Sequence, residues 1–205
     1  MAEKEKYYVV NFSGGKDSTA MLLRLLELGE PIDEVIFCDT YKEFPQMYKH
    51  IEKIKKVVED AGIKFTTLKG EKSFDYYMFE HKPKRKNNQN ENHKHPLVEW
   101  GWTEQQALEY CYSCGYDWEG LYKYFNRVSC WCCPLQSLED LRNMRKHFPE
   151  LWQELIDMDN RTWRKFKPDY TVEELDRRFS FEEEWLKEGK SIRSREFFRQ
   201  LKILL

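Results

Sequence analysis

The feature that most constrains this chain is a glycine-containing loop between a strand-like run and a helix-like run. The loop reads Ser13-Gly14-Gly15-Lys16-Asp17-Ser18. The β-branched and aromatic residues at 7–12 predict a buried strand before it, and the leucine-rich run at 19–28 predicts a helix after it. A glycine turn between a strand and a helix directs free backbone N–H groups and the positive helix end at an anion. The sequence therefore predicts a phosphate-binding loop.

The residue types inside the loop suit this role. The two glycines lack a Cβ, so the backbone can adopt positive φ and approach a phosphate closely. The serines supply hydroxyl donors, and Lys16 supplies a mobile positive charge. Asp17 would repel a phosphate alone, which suggests a bridging Mg²⁺. The common P-loop pattern, GxxxxGK[ST], is absent from the sequence.

Alternating strand and helix patterns follow the loop. Residues 34–38 predict a second strand that ends at Asp39 and Thr40, residues 44–61 predict an amphipathic helix, and residues 63–68 predict a third strand. This order implies parallel strands with right-handed crossovers. Polar residues at the carboxyl end of a parallel strand are placed to bind a ligand, although either could instead cap the following helix.

Two motifs carry a family resemblance. Ser13–Ser18 resembles the SGGxDS loop of the ATP pyrophosphatases, and residues 39–45 resemble the DTGxEFPET element of the phosphoadenosine-phosphosulfate (PAPS) reductase family. Tyr41 replaces a glycine of that element, and Gln46 replaces a glutamate. Over residues 7–145 the chain resembles the PAPS reductase-like branch of the ATP pyrophosphatase superfamily, also called PP-loop or adenine nucleotide alpha hydrolase proteins. The resemblance implies a three-layer α/β/α parallel sheet with a C-terminal helical extension.

The resemblance also implies an activity. In the family the loop holds the β- and γ-phosphates of ATP·Mg²⁺ while an acceptor is adenylylated and pyrophosphate leaves. The implied function is an adenylylating enzyme of sulfur transfer or sulfur metabolism, with Lys16, Asp17 and Ser18 as catalytic residues. The resemblance assigns nucleotide contacts to Ser13, Gly14, Gly15, Lys16, Asp17, Ser18, Asp39 and Thr40.

Two other functions remain open. One is a PAPS reductase or a sulfate adenylyltransferase-like enzyme. The thioredoxin-dependent reductases of the family use a cysteine in the C-terminal tail and tend to carry an altered loop, whereas this chain has no cysteine after Cys133 and an intact loop. The other is a non-catalytic subunit that binds a nucleotide or a nucleic acid.

The cysteines form a second motif. Cys111, Cys114, Cys130 and Cys133 follow the pattern C-x₂-C-x₁₅-C-x₂-C, which suits four thiolates around one Zn²⁺ ion. The same sulfurs could hold a [4Fe–4S] cluster. The spacing favours zinc and the resemblance favours iron–sulfur, so both stay open. Cys132 is then a substitute ligand or a sulfur-handling nucleophile, and the alternative is that these cysteines are small buried apolar side chains.

A polar segment at 82–95 carries five basic residues and one acidic residue. It is a phosphate lid, a contact for an anionic partner such as nucleic acid, or a solvated loop. His93 and His95 within it are expected to be exposed rather than to bind metal.

The expected domain organisation is a nucleotide-binding domain at 1–148, with the cysteine-rich insert at 111–133, and a helical extension at 149–205. Arg127, Arg142, Arg145 and Lys146 are candidates to face an anionic substrate. The C-terminal aromatic residues predict a core or a homodimer face, and a sulfur-donor protein is a second candidate partner.

Composition bounds these interpretations. The formal net charge of −2 gives no global field for nucleic acid or a membrane surface. No apolar run approaches the roughly 18 residues of a membrane span, and the charged N-terminus lacks the apolar core of a signal peptide. A cytoplasmic location is therefore expected, where cysteines serve as ligands or catalysts more often than in disulfides.

Overall fold

A computed structural model describes residues 6–72, 74–76, 80 and 93–205. Most of the polar segment at 82–95 lies outside these residues, so its predicted roles stay predictions. Of that segment, residues 93–95 are described, and His93 and His95 are exposed, as expected.

Three parallel strands and two crossover helices form the core of the first unit. The strands are β1 (Val9–Phe12), β2 (Glu34–Asp39) and β3 (Lys64–Lys69), in the sheet order β1-β2-β3. Helices α1 (Lys16–Leu28) and α2 (Pro45–Asp60) connect them. The α/β class with a parallel sheet is therefore confirmed, and it is compatible with a Rossmann-like fold.

The register brings two predicted site segments to one sheet edge. Phe12, the last residue of β1, pairs with Phe37 of β2, and Asp39 at the end of β2 pairs with Lys69 of β3. The loop that follows β1 and the turn that follows β2 thus leave the sheet side by side. This carboxyl edge is where parallel sheets bind ligands.

The apolar side chains on one face of the sheet are buried. Val10, Phe12, Val35 and Phe37 pack with apolar residues of α1 and α2, and Ile54 is fully buried. On the opposite face, Val9 is 44% exposed and Leu68 is 48% exposed. Two right-handed crossovers in the same direction place both helices on one face. The three-layer arrangement therefore stays a prediction.

Shorter helical elements follow β3. They are α3 (Pro96–Glu99), α4 (Glu104–Ser113) and a 3₁₀ segment (Trp118–Lys123). Thr103 caps α4, since its hydroxyl accepts from the Gln106 N–H while the Gln106 side chain accepts from the Thr103 N–H. Helix α4 packs against α1.

The structure divides into two compact units, Met1–Trp131 and Cys132–Leu205. The second contains α5 (Leu138–His147), α6 (Pro149–Asn160), α7 (Val172–Lys187) and α8 (Arg195–Leu204). The predicted domain boundary after residue 148 is not tested by this division and stays a prediction. Among the described residues, no helix has the length and apolar character needed to cross a membrane.

Ion pairs hold the second unit together. Arg142 contacts Glu182 at 2.6 Å, and Arg145 contacts Asp176 at 2.7 Å, so α5 is joined to α7. These arginines were candidates for an anionic substrate, but their charges are neutralised inside the helical unit. Phe197 of α8 packs on Trp185 in a buried cluster. Trp163 and Phe198 are instead 68% and 48% exposed, so the homodimer face stays a prediction.

The backbone at Tyr41 has a left-handed conformation, with φ of 64°. Such a conformation costs a residue with a Cβ about 1 kcal/mol or more. We predict that Tyr41→Gly has a free energy of unfolding about 1 kcal/mol higher than Tyr41→Ala, since both lack the ring and only alanine keeps the strain. Urea unfolding measures the difference, and equal stabilities of the two variants would contradict the assigned strain.

Candidate functional site

The loop between β1 and α1 is fixed by close packing at Gly14. This residue has φ of 82°, and a Cβ placed there would lie 3.0 Å from Cγ1 of Ile51 in α2. Only glycine meets both conditions without displacement of its neighbours. The glycine that the motif requires thus lets the loop lie directly on α2.

The first turn of α1 presents free donors. Gly15 caps the helix without a side-chain hydrogen bond. In the part of the chain that the structure describes, the N–H groups of Gly15, Asp17 and Ser18 have no hydrogen-bond acceptor. Unpaired N–H groups at a helix start, together with the helix dipole, favour an anion.

Two serine hydroxyls close the loop. Ser18 Oγ donates to the Gly15 carbonyl at 3.0 Å and accepts from the Ser13 N–H at 3.2 Å. The hydroxyls of Ser13 and Ser18 are 3.0 Å apart, so Ser13 donates to Ser18 in this arrangement. The serines therefore shape the loop before any ligand binds.

Lys16 is buried and paired, rather than mobile as its sequence suggested. It is 5% exposed, and its Nζ lies 2.8 Å from Oε2 of Glu104 at the start of α4. Its Nζ is also 3.7 Å from Oδ2 of Asp17. The hydrogen bond from Lys16 holds the pKa of Glu104 below its ordinary value. Helix α4 thus supplies the counter-charge of the loop.

His50 of α2 contacts the loop through Thr19. Its Nε2 lies 2.9 Å from the hydroxyl of Thr19, and that hydroxyl is 3.5 Å from the Gly14 carbonyl. His50 is 3% exposed, and burial, aided by Lys53, lowers its pKa to about 3. The ring is therefore neutral at neutral pH.

The 3₁₀ segment brings two aromatic residues to the loop. Trp118, Glu119 and Gly120 have φ values of 51°, 53° and 84°, a strained run for the two residues that carry a Cβ. The Trp118 indole N–H donates to the Gly14 carbonyl at 2.8 Å, and its ring lies 4.4 Å from that of His50. The Tyr122 hydroxyl accepts from the Lys16 N–H at 2.7 Å.

No motif in the sequence indicates these contacts. His50, Glu104, Trp118 and Tyr122 belong to none, and the two aromatic residues lie between the two cysteine pairs. The only available signal was the density of aromatic side chains at 116–124 in a stretch without periodicity.

Asp39 and Thr40 fold the turn after β2. Asp39 Oδ1 accepts from the Tyr41 N–H and from the Tyr48 hydroxyl, each at 2.8 Å. Thr40 donates to Glu43 at 3.1 Å. Phe44, rather than either residue, is the N-cap of α2, so the helix-cap interpretation is wrong. Their predicted nucleotide contacts stay predictions.

A cleft lies beside this turn. Its volume is about 420 Å³, enough for part of a small substrate. It is lined by Tyr41, Lys42, Gly70, Glu71, Lys72, Phe74 and Asp75. Because these residues follow β2 and β3, the cleft is at the same sheet edge as the loop.

The cysteines of the predicted metal site differ in their exposure. Cys111 is fully buried, its thiol donates to the Lys16 carbonyl at 3.5 Å, and burial raises its pKa to about 12. Cys114 is exposed. Across residues 6–72, 74–76, 80 and 93–205, no three His, Cys, Asp or Glu side chains are placed to hold a metal ion. The four-thiolate centre of Cys111, Cys114, Cys130 and Cys133 therefore stays a prediction.

A parallel α/β sheet with free N–H groups at the strand–loop–helix junction defines a nucleotide-binding class of protein. Residues 7–95 match the family model of the phosphoadenosine phosphosulfate reductase domain. For residues 7–95, this match confirms the resemblance to the PAPS reductase-like branch of the PP-loop superfamily that the two motifs predicted.

An uncharacterized protein of Methanocaldococcus jannaschii is a similar relative. It is 25% identical in an alignment that covers 73% of this chain and 40% of the relative. The chain thus spans less than half of that protein's length. No solved structure matches the chain.

The buried neutral histidine predicts a pH-dependent stability. His50 has its pKa depressed in the folded state, so the unfolded chain binds the extra proton as the pH falls below 6.5. We expect the wild-type protein to lose about 2 kcal/mol of unfolding free energy more than His50→Gln between pH 7 and pH 5. Urea unfolding at the two pH values measures it.

His93→Gln is the matched control, because this histidine is exposed. The control should keep the pH dependence of the wild type. The same slope in His50→Gln as in the wild type would contradict a neutral buried His50.

Proposed function

We propose that the protein is an ATP pyrophosphatase-type adenylylating enzyme that cleaves ATP to AMP and pyrophosphate in sulfur transfer or sulfur metabolism. The observation that carries the proposal is the set of free N–H groups on Gly15, Asp17 and Ser18 at the start of α1. The match of residues 7–95 to a PAPS reductase domain supports the class of reaction.

In the proposed reaction the loop holds the pyrophosphate half of ATP. The free N–H groups and Lys16 stabilise the charge that develops as the bond between the α- and β-phosphates breaks. The Asp17 carboxylate is about half exposed, and its oxygens suit Mg²⁺, which would supply charge neutralisation when bound. An acceptor oxygen attacks the α-phosphorus and becomes an adenylate.

The nucleoside or the acceptor can occupy the neighbouring cleft. Asp39 and Thr40 form the turn between the loop and this cleft, which supports their proposed role as nucleotide contacts. The sheet edge positions both halves of the substrate, and such positioning accelerates a transfer reaction. The acceptor is a small molecule or a nucleic acid.

The wider expectations belong to the same proposal. They are the three-layer arrangement with a C-terminal helical extension, a cytoplasmic location, and a homodimer or a sulfur-donor protein as partner. A reductase or a sulfate adenylyltransferase-like enzyme would use the same sheet edge.

One observation favours a non-catalytic subunit as the second candidate. The ammonium of Lys16 is already neutralised by Glu104. If the loop only binds a nucleotide, the Lys16 ammonium can stay paired with Glu104 and need not stabilise a transition state. Turnover separates this candidate from the enzyme.

We expect Lys16→Ala and Asp17→Ala each to reduce pyrophosphate release from ATP at least about 100-fold, because each removes charge stabilisation at the leaving group. The folded state should persist. The assay measures pyrophosphate with sulfate, small thiols, RNA and DNA as acceptors. Lys56→Ala and Asp60→Ala, on the exposed surface of α2, are matched controls.

Wild-type rates in both loop variants would contradict the assignment of the loop. A wild-type protein that binds ATP but releases no pyrophosphate with any acceptor would favour the non-catalytic subunit. A protein that binds no adenine nucleotide would exclude both.

Metal binding by Cys111, Cys114, Cys130 and Cys133 is a separate hypothesis. It requires the Cys111 thiol to leave the Lys16 carbonyl, which would change the support of the loop. Zinc, iron and sulfide assays after anaerobic purification test it, with one centre per chain expected and its loss in Cys111→Ser/Cys114→Ser. Absence of all three elements would overturn it.

A further inference from the structure

Tyr122 occupies a distinctive position at the start of α1. Its oxygen accepts the N–H of Lys16 at 2.7 Å, across 106 residues of sequence. Lys16 is the first residue of the helix, so its N–H is one of the orphan donors of the helix start. Tyr122 therefore accepts the N–H of Lys16, and the N–H groups of Asp17 and Ser18 stay available to a phosphate at the proposed site.

The hydroxyl hydrogen of Tyr122 remains available. Within the residues that the structure describes, Tyr122 donates no hydrogen bond. Burial raises the pKa of Tyr122, so the group keeps its proton. Tyr122 is partly buried, and a donor in such a place is expected to meet an acceptor in the functional state.

The oxygen of Tyr122 lies close to Gly15, at the start of α1. A Cβ built on Gly15 would be 3.6 Å from this oxygen, 3.7 Å from Ser13 Oγ and 3.8 Å from the Val128 carbonyl. Gly15 is the N-cap residue, next to the free N–H groups. The hydroxyls of Tyr122 and Ser13 thus both lie beside Gly15.

The backbone that carries Tyr122 is strained. Trp118 and Glu119 adopt positive φ immediately before it, and the bond from Trp118 to Gly14 anchors the segment. Strain of this kind persists where the surrounding structure imposes it, and it concentrates at functional sites. The segment therefore has a role at the loop beyond connecting α4 to residue 124.

We propose that Tyr122 is a phosphate-contacting residue of the pyrophosphate site. Its oxygen accepts the Lys16 N–H, and its O–H donates to an oxygen of the leaving pyrophosphate. The Lys16 N–H is thus taken by Tyr122, and the Tyr122 O–H donates in its place, at a point further from the helix start. This inference rests on the proposed function, in which the loop holds the β- and γ-phosphates of ATP.

The first test is binding of inorganic pyrophosphate with Mg²⁺, measured by calorimetry on the full chain. Tyr122→Phe should weaken binding at least about tenfold, the effect of removing a hydrogen bond to a charged group. Binding of adenosine should not change. Tyr116→Phe is the matched control, because this tyrosine contacts the His50 ring and should keep wild-type pyrophosphate binding.

A purely structural cap gives a different result. If Tyr122 only covers the Lys16 N–H, its removal exposes that donor, and Tyr122→Phe binds pyrophosphate equally or more tightly. Either result overturns the inference. Urea unfolding of the free variants checks that the folded state is present in each measurement.

A second variant separates donation from acceptance. Replacement of Tyr122 by 3-fluorotyrosine at pH 6 makes the hydroxyl a stronger donor and a weaker acceptor. Tighter pyrophosphate binding than in the wild type supports the inference, and unchanged or weaker binding overturns it. If the wild-type protein binds no pyrophosphate, the proposed function fails together with the inference. If it binds and Tyr122→Phe binds equally, only the inference fails.

Discussion

The packing of Gly14 against Ile51 is the contact on which the rest of the site depends. Because a Cβ at Gly14 would come within 3.0 Å of Ile51, the loop can lie on α2 only with glycine there. The Trp118 indole N–H then donates to the Gly14 carbonyl, and the hydrogen bond between Thr19 and His50 lies next to it. Because these contacts fix the loop, its own carbonyl groups do not bond to the N–H groups of Gly15, Asp17 and Ser18.

The charge of the loop is balanced before a ligand arrives. Lys16 is almost fully buried, and an unpaired ammonium in such a place would be costly. Glu104 removes that cost, and it stands at the start of α4, where the helix dipole also favours a carboxylate. Helix α4 therefore contributes to the loop through packing and through electrostatics. A preorganised site of this kind needs little rearrangement to bind an anion.

In the turn after β2, Tyr41 replaces the glycine of the family motif, and the backbone conformation of the turn is kept. The family element has glycine where this chain has Tyr41, and the structure retains the left-handed backbone that glycine would adopt freely. Asp39 compensates by accepting the Tyr41 N–H, and Lys69 lies 5.4 Å from the centre of the Tyr41 ring. The tyrosine also lines the cleft, so the substitution changes the surface offered to a substrate.

The order of the first three strands and two helices, and the glycine loop between β1 and α1, followed from the sequence by itself, because each depends on neighbours within a few residues. The contacts of Lys16 and Gly14 with Glu104, Trp118 and Tyr122 span 88 to 106 residues, and no local pattern encodes such pairs. The contact between the Cys111 thiol and the Lys16 carbonyl also joins residues 95 positions apart, and the cysteine spacing did not indicate it. Tertiary structure alone determined which side chains surround the loop, since packing between distant segments sets those distances.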